Sequence, residues 1–208
     1  MNNLKQFHSF ILILLSLFIL TSCSGTIPSL PNPSESIPDA YTIQNAPYVL
    51  PTMPGGCGNV TAEMVFKYYG RDDLTQEYLA DVCGVPLGDI CLREVARDEG
   101  FNCEICFATR QELKGMIAKD VPIYAKIKSN NVGATHCIEL VGYKDLNEEG
   151  SMGEIIYHNA GVGSYLTMTY AKYEEINVTE DPNRYFALII CPKDVSIDVV
   201  EIYKNNAF

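Results

Sequence analysis

A cysteine in a glycine-rich turn is the residue of this 208-residue chain best suited to nucleophilic chemistry. Cys57 follows Gly55 and Gly56, and it opens a segment, residues 57–69, whose apolar residues recur with helical spacing. At a helix start, unpaired backbone N–H groups and the positive end of the helix dipole favour the thiolate, which is the nucleophilic form of cysteine. The same N–H groups can stabilise an oxyanion. The sequence therefore predicts an activated thiol at Cys57.

Histidine is scarce, which narrows the search for a base that could take the proton of this thiol. Apart from His8, the chain contains only His136 and His158. Histidine is the side chain whose ordinary pKa suits proton transfer near neutral pH. His136 opens a strand-like run, residues 136–143, and we predict that it is the general base. We interpret His158 as a surface residue or a residue behind the site, because strand alternation turns it away from the face of Asn159.

A third polar residue is placed to orient this histidine. The run 154–159 follows a polar connection, so an antiparallel hairpin with its turn near residues 147–149 would set Asn159 beside His136. An asparagine carbonyl there can accept the imidazole N–H and leave the other ring nitrogen facing Cys57. The expected chemistry is acyl transfer through a Cys/His/Asn triad.

The elements that must position these residues change in type along the chain. Helices are predicted at 57–69, from a cap at Asp73 to Val82, from a cap at Asp89 to Gly100, and after a Thr109–Glu112 capping box. Strands are predicted at Ile123 to Lys128, His136 to Tyr143, Glu154 to Asn159, Tyr165 to Tyr170, and Tyr185 to Cys191. Helices followed by strands predict an α+β fold.

The ordered motifs resemble the peptidase domains related to bacteriocin leader peptidases, the peptidase C39-like family, over most of residues 46–160. The motifs that carry the resemblance are Pro47-Tyr48, Pro54-Gly-Gly-Cys57-Gly, Tyr68-Tyr69-Gly70, the run from Thr135 to Tyr143, and Asn159. The resemblance implies a papain-like fold, with N-terminal helices packed on a C-terminal antiparallel sheet. It also implies that Cys57 is the nucleophile, His136 the base and Asn159 the orienting residue, where relatives more often have aspartate.

The chain departs from this family at the oxyanion hole. Relatives carry a glutamine a few residues before the cysteine, whereas positions 48–56 contain none. Gln44 is the remaining candidate, and it reaches the site only if the segment 47–54 loops out. The main prediction is hydrolysis of peptide amide bonds. The alternatives are a papain-like module that binds without catalysis, and a thiol-dependent transferase or deamidase.

The first residues predict export. Residues 1–23 contain Lys5 and an apolar run too short to span a bilayer, which is typical of a signal peptide, and their Leu-Thr-Ser-Cys23 ending resembles a bacterial lipobox. Lipidated Cys23 would anchor the protein to a bacterial membrane outside the cytoplasm, and cleavage by an ordinary signal peptidase is the alternative. Residues 24–40 are predicted to form a Ser/Pro-rich tether and residues 41–208 one domain.

Composition restricts the partners and cofactors. A net charge of −11 argues against nucleic acid, so the expected partners are a peptide or protein substrate and, through the lipid, a membrane. In an exported protein, the six further cysteines are expected to be disulfides or buried thiols. Zinc binding by Cys83, Cys91, Cys103 and Cys106 is an alternative, but only one close pair has ligand-like spacing. We therefore expect no metal and no cofactor.

Overall fold

The computed structural model describes residues 36–129, 133–199 and 201–202. Its main compact unit begins at Ile37. The predicted signal peptide, Cys23 and most of the predicted tether therefore lie outside the described residues. Within the described ranges, no helix has both the length and the apolar character that a membrane crossing requires.

Three helices form the first half of the unit: α1 at Cys57–Tyr68, α2 at Gln76–Cys83 and α3 at Asp89–Asp98. α1 begins at Cys57, as predicted, and almost all of its first ten residues are buried. It ends just before Gly70, whose positive φ of 77° suits a residue without a Cβ. Cys57 is thus the first residue of a central, buried helix and not of a surface helix.

Two of the predicted helix caps are wrong. Thr75, and not Asp73, caps α2, because its extended backbone lets its hydroxyl accept from the backbone N–H three residues later. The Asp73 carboxylate is instead paired with Arg71 at 2.7 Å. Asp89 is the first residue of α3 rather than its cap, and it forms an ion pair with Lys126.

The predicted capping box is confirmed. The Thr109 hydroxyl accepts from the Glu112 backbone N–H, and the Glu112 carboxylate accepts from the Thr109 backbone N–H at 2.7 Å. This reciprocal pair starts α4, which spans Arg110–Ile117. A further helix that the sequence reading missed, α5, spans Tyr170–Glu175.

Seven strands form one antiparallel sheet, and each strand is hydrogen-bonded to at least one other. They are β1 at Ala40–Thr42, β2 at Asn102–Ala108, β3 at Ile123–Lys128, β4 at Thr135–Asp145, β5 at Gly153–Asn159, β6 at Gly163–Thr169 and β7 at Tyr185–Cys191. The order is β2-β7-β3-β4-β5-β6, and β1 pairs with β4. β3 and β7 have their predicted bounds, whereas β1 and β2 were not predicted. The α+β class is confirmed.

Helices cover both faces of the sheet. α1, α2 and α3 pack on the face that carries Tyr124 and Leu188, while α4 and α5 pack on the face that carries Ile123 and Ile189. Successive strand residues point to opposite faces, so each central strand contributes to both apolar cores. The N-terminal helices thus pack on the antiparallel sheet, as predicted, and α4 and α5 cover its other face.

One disulfide joins the end of α2 to α3, and it rules out the zinc alternative. Cys83 and Cys91 are bonded to each other. Cys103 and Cys106 are buried thiols of β2, three residues apart in a strand, and they belong to the two different cores. These four residues therefore cannot surround a metal ion. In the part of the chain that the structure describes, no cluster of three or more metal-ligating side chains occurs.

Candidate active site

Close packing around the first turn of α1 explains the glycines that flank Cys57. A Cβ on Gly56 would lie 2.6 Å from Cγ of Met53, and a Cβ on Gly58 would lie 2.9 Å from Oη of Tyr124. Any side chain at either position would clash with its neighbours. The glycines thus let β3 and the preceding loop approach the helix start, and they leave Cys57 half-buried between them.

Strands β4 and β5 bring the other two predicted residues to this sulfur. The His136 side chain is hydrogen-bonded to Cys57. Its Nε2 lies 2.7 Å from Oδ1 of Asn159, which leaves Nδ1 as the ring nitrogen that is available to the sulfur. β5 ends at Asn159, and its pairing with β4 sets this amide beside the imidazole. The structure therefore brings together Cys57, His136 and Asn159.

The surroundings of the two reactive groups separate their pKa values in the direction that catalysis needs. The pKa of Cys57 falls from its ordinary 9.0 to about 4, chiefly through a hydrogen bond from the Cys137 thiol and then through one from His136, while burial opposes the change. The pKa of His136 is raised, mainly by its hydrogen bond to Cys57 and against the effect of burial. Near neutral pH Cys57 is accordingly a thiolate, and the protonated form of His136 is favoured.

Cys137 is a residue of the site that the sequence reading did not assign. It follows His136 directly in β4, and both its thiol and its backbone N–H are hydrogen-bonded to Cys57. On its other side, its Sγ lies 2.9 Å from Oη of Tyr124, a buried residue of β3. In the sequence, the one signal for a role of Cys137 in the site was its position next to His136. The contact itself depends on how β4 packs against α1.

The side chain of Gln44 is hydrogen-bonded locally, to the backbone two residues earlier. It is exposed just after β1, and its Nε2 donates to the Thr42 carbonyl at 3.0 Å. No hydrogen bond joins Gln44 to Cys57 or His136 among the described residues. The first turn of α1 has no side-chain cap, so its backbone N–H groups remain as candidate donors to an oxyanion.

His158 is buried and not a surface residue, which corrects one of the two sequence interpretations. Its side chain is 0 % exposed, and its Nδ1 lies 3.0 Å from Oε2 of Glu139, its partner across the β4–β5 pair. The ring meets Tyr48 and Tyr165 edge-on, with centroids 5.9 and 4.6 Å away. Burial raises the pKa of Glu139, and His158 opposes that change. The contact between Glu139 and His158 holds His158 in position, and His158 is the residue immediately before Asn159 in β5.

A loop between α2 and α3 closes the site on the helical side. The Asn59 amide of α1 donates to the Gly84 carbonyl at 3.1 Å. A Cβ on Gly58 would meet Leu87 at 3.0 Å, so the loop packs directly on the first turn of α1. The Cys83–Cys91 disulfide spans this loop. The covalent link thus lies close to the residues that hold the nucleophile.

A cavity of about 430 Å³ opens on the other side of the site. His136 and Asn159 line it together with three aliphatic side chains, those of Ile127, Val162 and Ile176. Lys128 and Lys172 also line it, although the chain as a whole is acidic. The space is large enough to hold a substrate side chain next to the imidazole.

A half-buried cysteine at a helix start, paired with an imidazole that contacts an amide oxygen, is the arrangement that thiol-dependent acyl transfer requires. The model of the Peptidase_C39 like family matches residues 40–177. The chain therefore belongs to the Peptidase C39-like family, and its domain is of the cysteine peptidase type.

The solved structures that are similar to this chain include two peptidase structures. The peptidase domain of Streptococcus ComA, a bi-functional ABC transporter involved in a quorum sensing pathway, has a TM-score of 0.50 at 15% identity, over 70% of this chain and 98% of that one. A double glycine motif protease from an AMS/PCAT transporter, in complex with the leader peptide, has a TM-score of 0.48 at 17% identity, over 70% and 91%. The fold is papain-like. Comparison with curated proteins gave no match.

Proposed function

We propose that this domain hydrolyses peptide amide bonds, with Cys57 as the nucleophile, His136 as the general base and acid, and Asn159 as the residue that orients the imidazole. The observation that carries the proposal is the continuous hydrogen-bonded series from Cys57 through His136 to Asn159, whose last step measures 2.7 Å. Membership of the Peptidase C39-like family supports the same chemistry.

The geometry suggests a role for each group in the reaction. The Cys57 thiolate attacks the amide carbonyl carbon, and backbone N–H groups at the start of α1 stabilise the oxyanion. Protonated His136 gives its proton to the leaving amine, and a thioester to Cys57 remains. His136 then takes a proton from water, which attacks the thioester and releases the acid. Asn159 accepts the Nε2 hydrogen throughout, so that Nδ1 stays directed at the reacting atoms.

The substrate class that fits is a peptide or a protein segment in an extended conformation. The cavity beside His136 and Asn159 offers aliphatic walls for one side chain and two lysines at its edge. Such a pocket suits an aliphatic residue with an acidic neighbour, because the lysines would attract the carboxylate.

Covalent labelling and product analysis test the proposal. A peptide epoxide inhibitor should modify Cys57 stoichiometrically, and cleavage of a peptide library should give products that carry new amino and carboxyl termini. Both results should be absent in Cys57→Ser and strongly reduced in His136→Ala. Cys191→Ser changes another buried thiol and serves as the matched control. An unlabelled Cys57 in the folded protein would contradict the proposal.

A binding module without catalysis is the second candidate, and the position of Gln44 favours it. Loss of one oxyanion donor typically lowers a rate by about 10²- to 10³-fold, and Gln44 is bonded to Thr42 instead of the site. This candidate predicts that Cys57→Ser binds peptides as tightly as the unchanged protein, and that the unchanged protein never cleaves them. Transfer or deamidation would appear in the same product analysis as a new amide or as a lost ammonia.

We also propose that the protein is exported and anchored by lipid on Cys23, a residue outside the described ranges. The support is the sequence of residues 1–23 and the disulfide Cys83–Cys91, which persists in oxidising compartments. Metabolic labelling with a fatty acid should mark the protein and fail for Cys23→Ala, while Cys191→Ala should be labelled normally. Labelling of Cys23→Ala would refute the anchor.

A further inference from the structure

Cys57 packs against the same apolar cluster that contains Cys137, and the mechanism proposed above requires only one of these two thiols. Cys137 reaches Cys57 through its thiol and through its backbone N–H. Its Sγ would lie 3.6 Å from a Cβ built on Gly58, so it packs against the first turn of α1. The Cys137 thiol therefore lies at the junction of α1 and β4, beside the residue that follows Cys57.

We propose that Cys57 and Cys137 form a reversible oxidation site, in which a peroxide converts the two thiols to a disulfide and so switches the enzyme off. The oxidation chemistry needs only this thiol pair, whereas its regulatory meaning rests on the proposed peptidase function. The three remaining free cysteines of the described residues, Cys103, Cys106 and Cys191, are all buried. Cys57 alone combines exposure with thiolate character.

The reaction balances in two steps. The Cys57 thiolate attacks one oxygen of the peroxide, the O–O bond breaks, and Cys57 becomes a sulfenic acid while hydroxide or an alkoxide leaves. The Cys137 sulfur then attacks the Cys57 sulfur, the S–O bond breaks, and the Cys137 proton leaves with the hydroxyl group as water. Cys57 and Cys137 together lose two electrons, which the peroxide takes up. A dithiol reductant reverses the change.

The structure also explains why the Cys137 thiol is unreactive until Cys57 has been oxidised. The pKa of the Cys137 thiol is raised, first by its hydrogen bond to Cys57 and then by burial and by the Cys57 charge, whereas Tyr124 and Lys126 act in the opposite direction. Conversion of Cys57 to a neutral sulfenic acid removes the effects of its thiolate and leaves burial opposed by Tyr124 and Lys126. Oxidation of the first thiol thus lowers the pKa of the second.

The consequence for activity is direct. A sulfur in a disulfide cannot attack a carbonyl, and a Cys57–Cys137 bond would withdraw the nucleophile from His136. A disulfide would also protect Cys57 from the irreversible sulfinic and sulfonic acids. An exported enzyme would meet oxidants without cytoplasmic reductants to repair it.

The test treats the purified full chain with a short pulse of hydrogen peroxide and then maps its peptides by mass. The expected product joins the peptides of Cys57 and Cys137, is lighter by two hydrogen atoms, and is separable from the Cys83–Cys91 pair. Iodoacetamide labelling of Cys57 and the peptidase rate should each fall about tenfold or more, and dithiothreitol should restore both.

Cys137→Ser and Cys191→Ser separate this site from general thiol oxidation. In Cys137→Ser, the same pulse should add two or three oxygen atoms to Cys57, and dithiothreitol should not restore the labelling. Cys191→Ser should behave like the unchanged protein. The proposal is overturned if the unchanged protein forms no joined peptide and its Cys57 overoxidises as fast as in Cys137→Ser.

The joined peptide is measured without any substrate, so the two proposals can fail separately. A reversible Cys57–Cys137 bond in a protein that cleaves no peptide would refute the peptidase and leave the oxidation site standing. A protein that cleaves peptides but never forms that bond would refute the oxidation site and leave the peptidase function standing.

Discussion

His136 and Asn159 lie on neighbouring antiparallel strands, and Nε2 of the imidazole is 2.7 Å from Oδ1 of the amide. The amide oxygen can only accept, so Nε2 carries the hydrogen and Nδ1 faces Cys57. The tautomer of the proposed base is therefore set by a residue that does not touch the thiol.

Replacing Asn159 tests this relationship. Asn159→Ala removes the acceptor, and we expect kcat/KM to fall about 10- to 100-fold, which is typical of residues that orient a reacting imidazole. Asn159→Asp keeps an acceptor oxygen and should retain more activity than Asn159→Ala, with a further rise in the pKa of His136. The measurement is a pH profile of kcat/KM for both variants. Asn183→Ala, at an exposed position, is the control, and equal rates for the Ala and Asp variants at Asn159 would contradict the assigned role.

The reactivity of Cys57 should follow its lowered pKa. Alkylation by iodoacetamide requires the thiolate, so its rate should rise as pH increases through about 4 and stay high at pH values where an ordinary thiol, with a pKa of 9.0, is protonated. His136→Ala removes one of the two main hydrogen bonds, so the pKa should rise and the rate at mildly acid pH should fall about tenfold or more. A midpoint at the ordinary value in the unchanged protein would refute the thiolate–imidazolium pair.

Gln44→Ala distinguishes a side-chain oxyanion donor from a backbone one. Because its amide is bonded to the Thr42 carbonyl, we expect kcat to change by less than about twofold. A fall of about 10²- to 10³-fold with unchanged thermal stability would instead show that Gln44 reaches the oxyanion during turnover.

Two helical glycines give opposite predictions for the same substitution. Alanine normally stabilises a helix relative to glycine by about 0.5–1 kcal/mol, and Gly115→Ala in α4 should do so, because the new Cβ meets only Ile37 at 3.4 Å. Gly58→Ala would place its Cβ 2.9 Å from Tyr124, so it should destabilise by about 1–3 kcal/mol. Denaturant unfolding measures both changes. Stabilisation by Gly58→Ala would show that the first turn of α1 is packed less closely.

Removing the disulfide should loosen the loop that covers α1. Cys83→Ser combined with Cys91→Ser opens a short loop, with an expected loss of about 2–3 kcal/mol from the free energy of unfolding. The loop carries Leu87 and Gly84, which contact the first turn of α1, so the alkylation rate of Cys57 should change as well. Cys103→Ser combined with Cys191→Ser removes two other thiols and controls for the loss of sulfur. An unchanged unfolding midpoint would exclude a structural role for the link.

The sequence predicted the residues of the site through strong local signals: a glycine turn before a helix, two histidines to choose between, and alternation along two strands. It could not predict Cys137 as a partner of Cys57, because that contact depends on the packing of β4 against α1. The Glu139–His158 contact was missed for a similar reason, since single-strand alternation does not show which charged residues become buried.

The missed elements depend on neighbours far away in the chain. β2 carries Glu104 between apolar residues and becomes a strand through its pairing with β7, 77 to 89 residues later in sequence. Tyr170 was assigned to the end of a strand, but the Thr169 hydroxyl accepts from the Lys172 backbone N–H and starts α5 there. The Thr169 cap thus makes Tyr170 the first residue of a helix and not the last residue of a strand.

The short strand β1 also affects how the domain responds to tension applied to the chain on its N-terminal side. Its three residues, Ala40–Thr42, pair with Gly142 to Lys144 of β4. Tension on the N-terminal side of the chain, such as a membrane tether would apply, would load the contacts of residues 37–39 with the domain and then these pairs. Because His136 lies at the opposite end of β4 from this pairing, β1 could peel away under force while the hairpin that holds the imidazole stays closed.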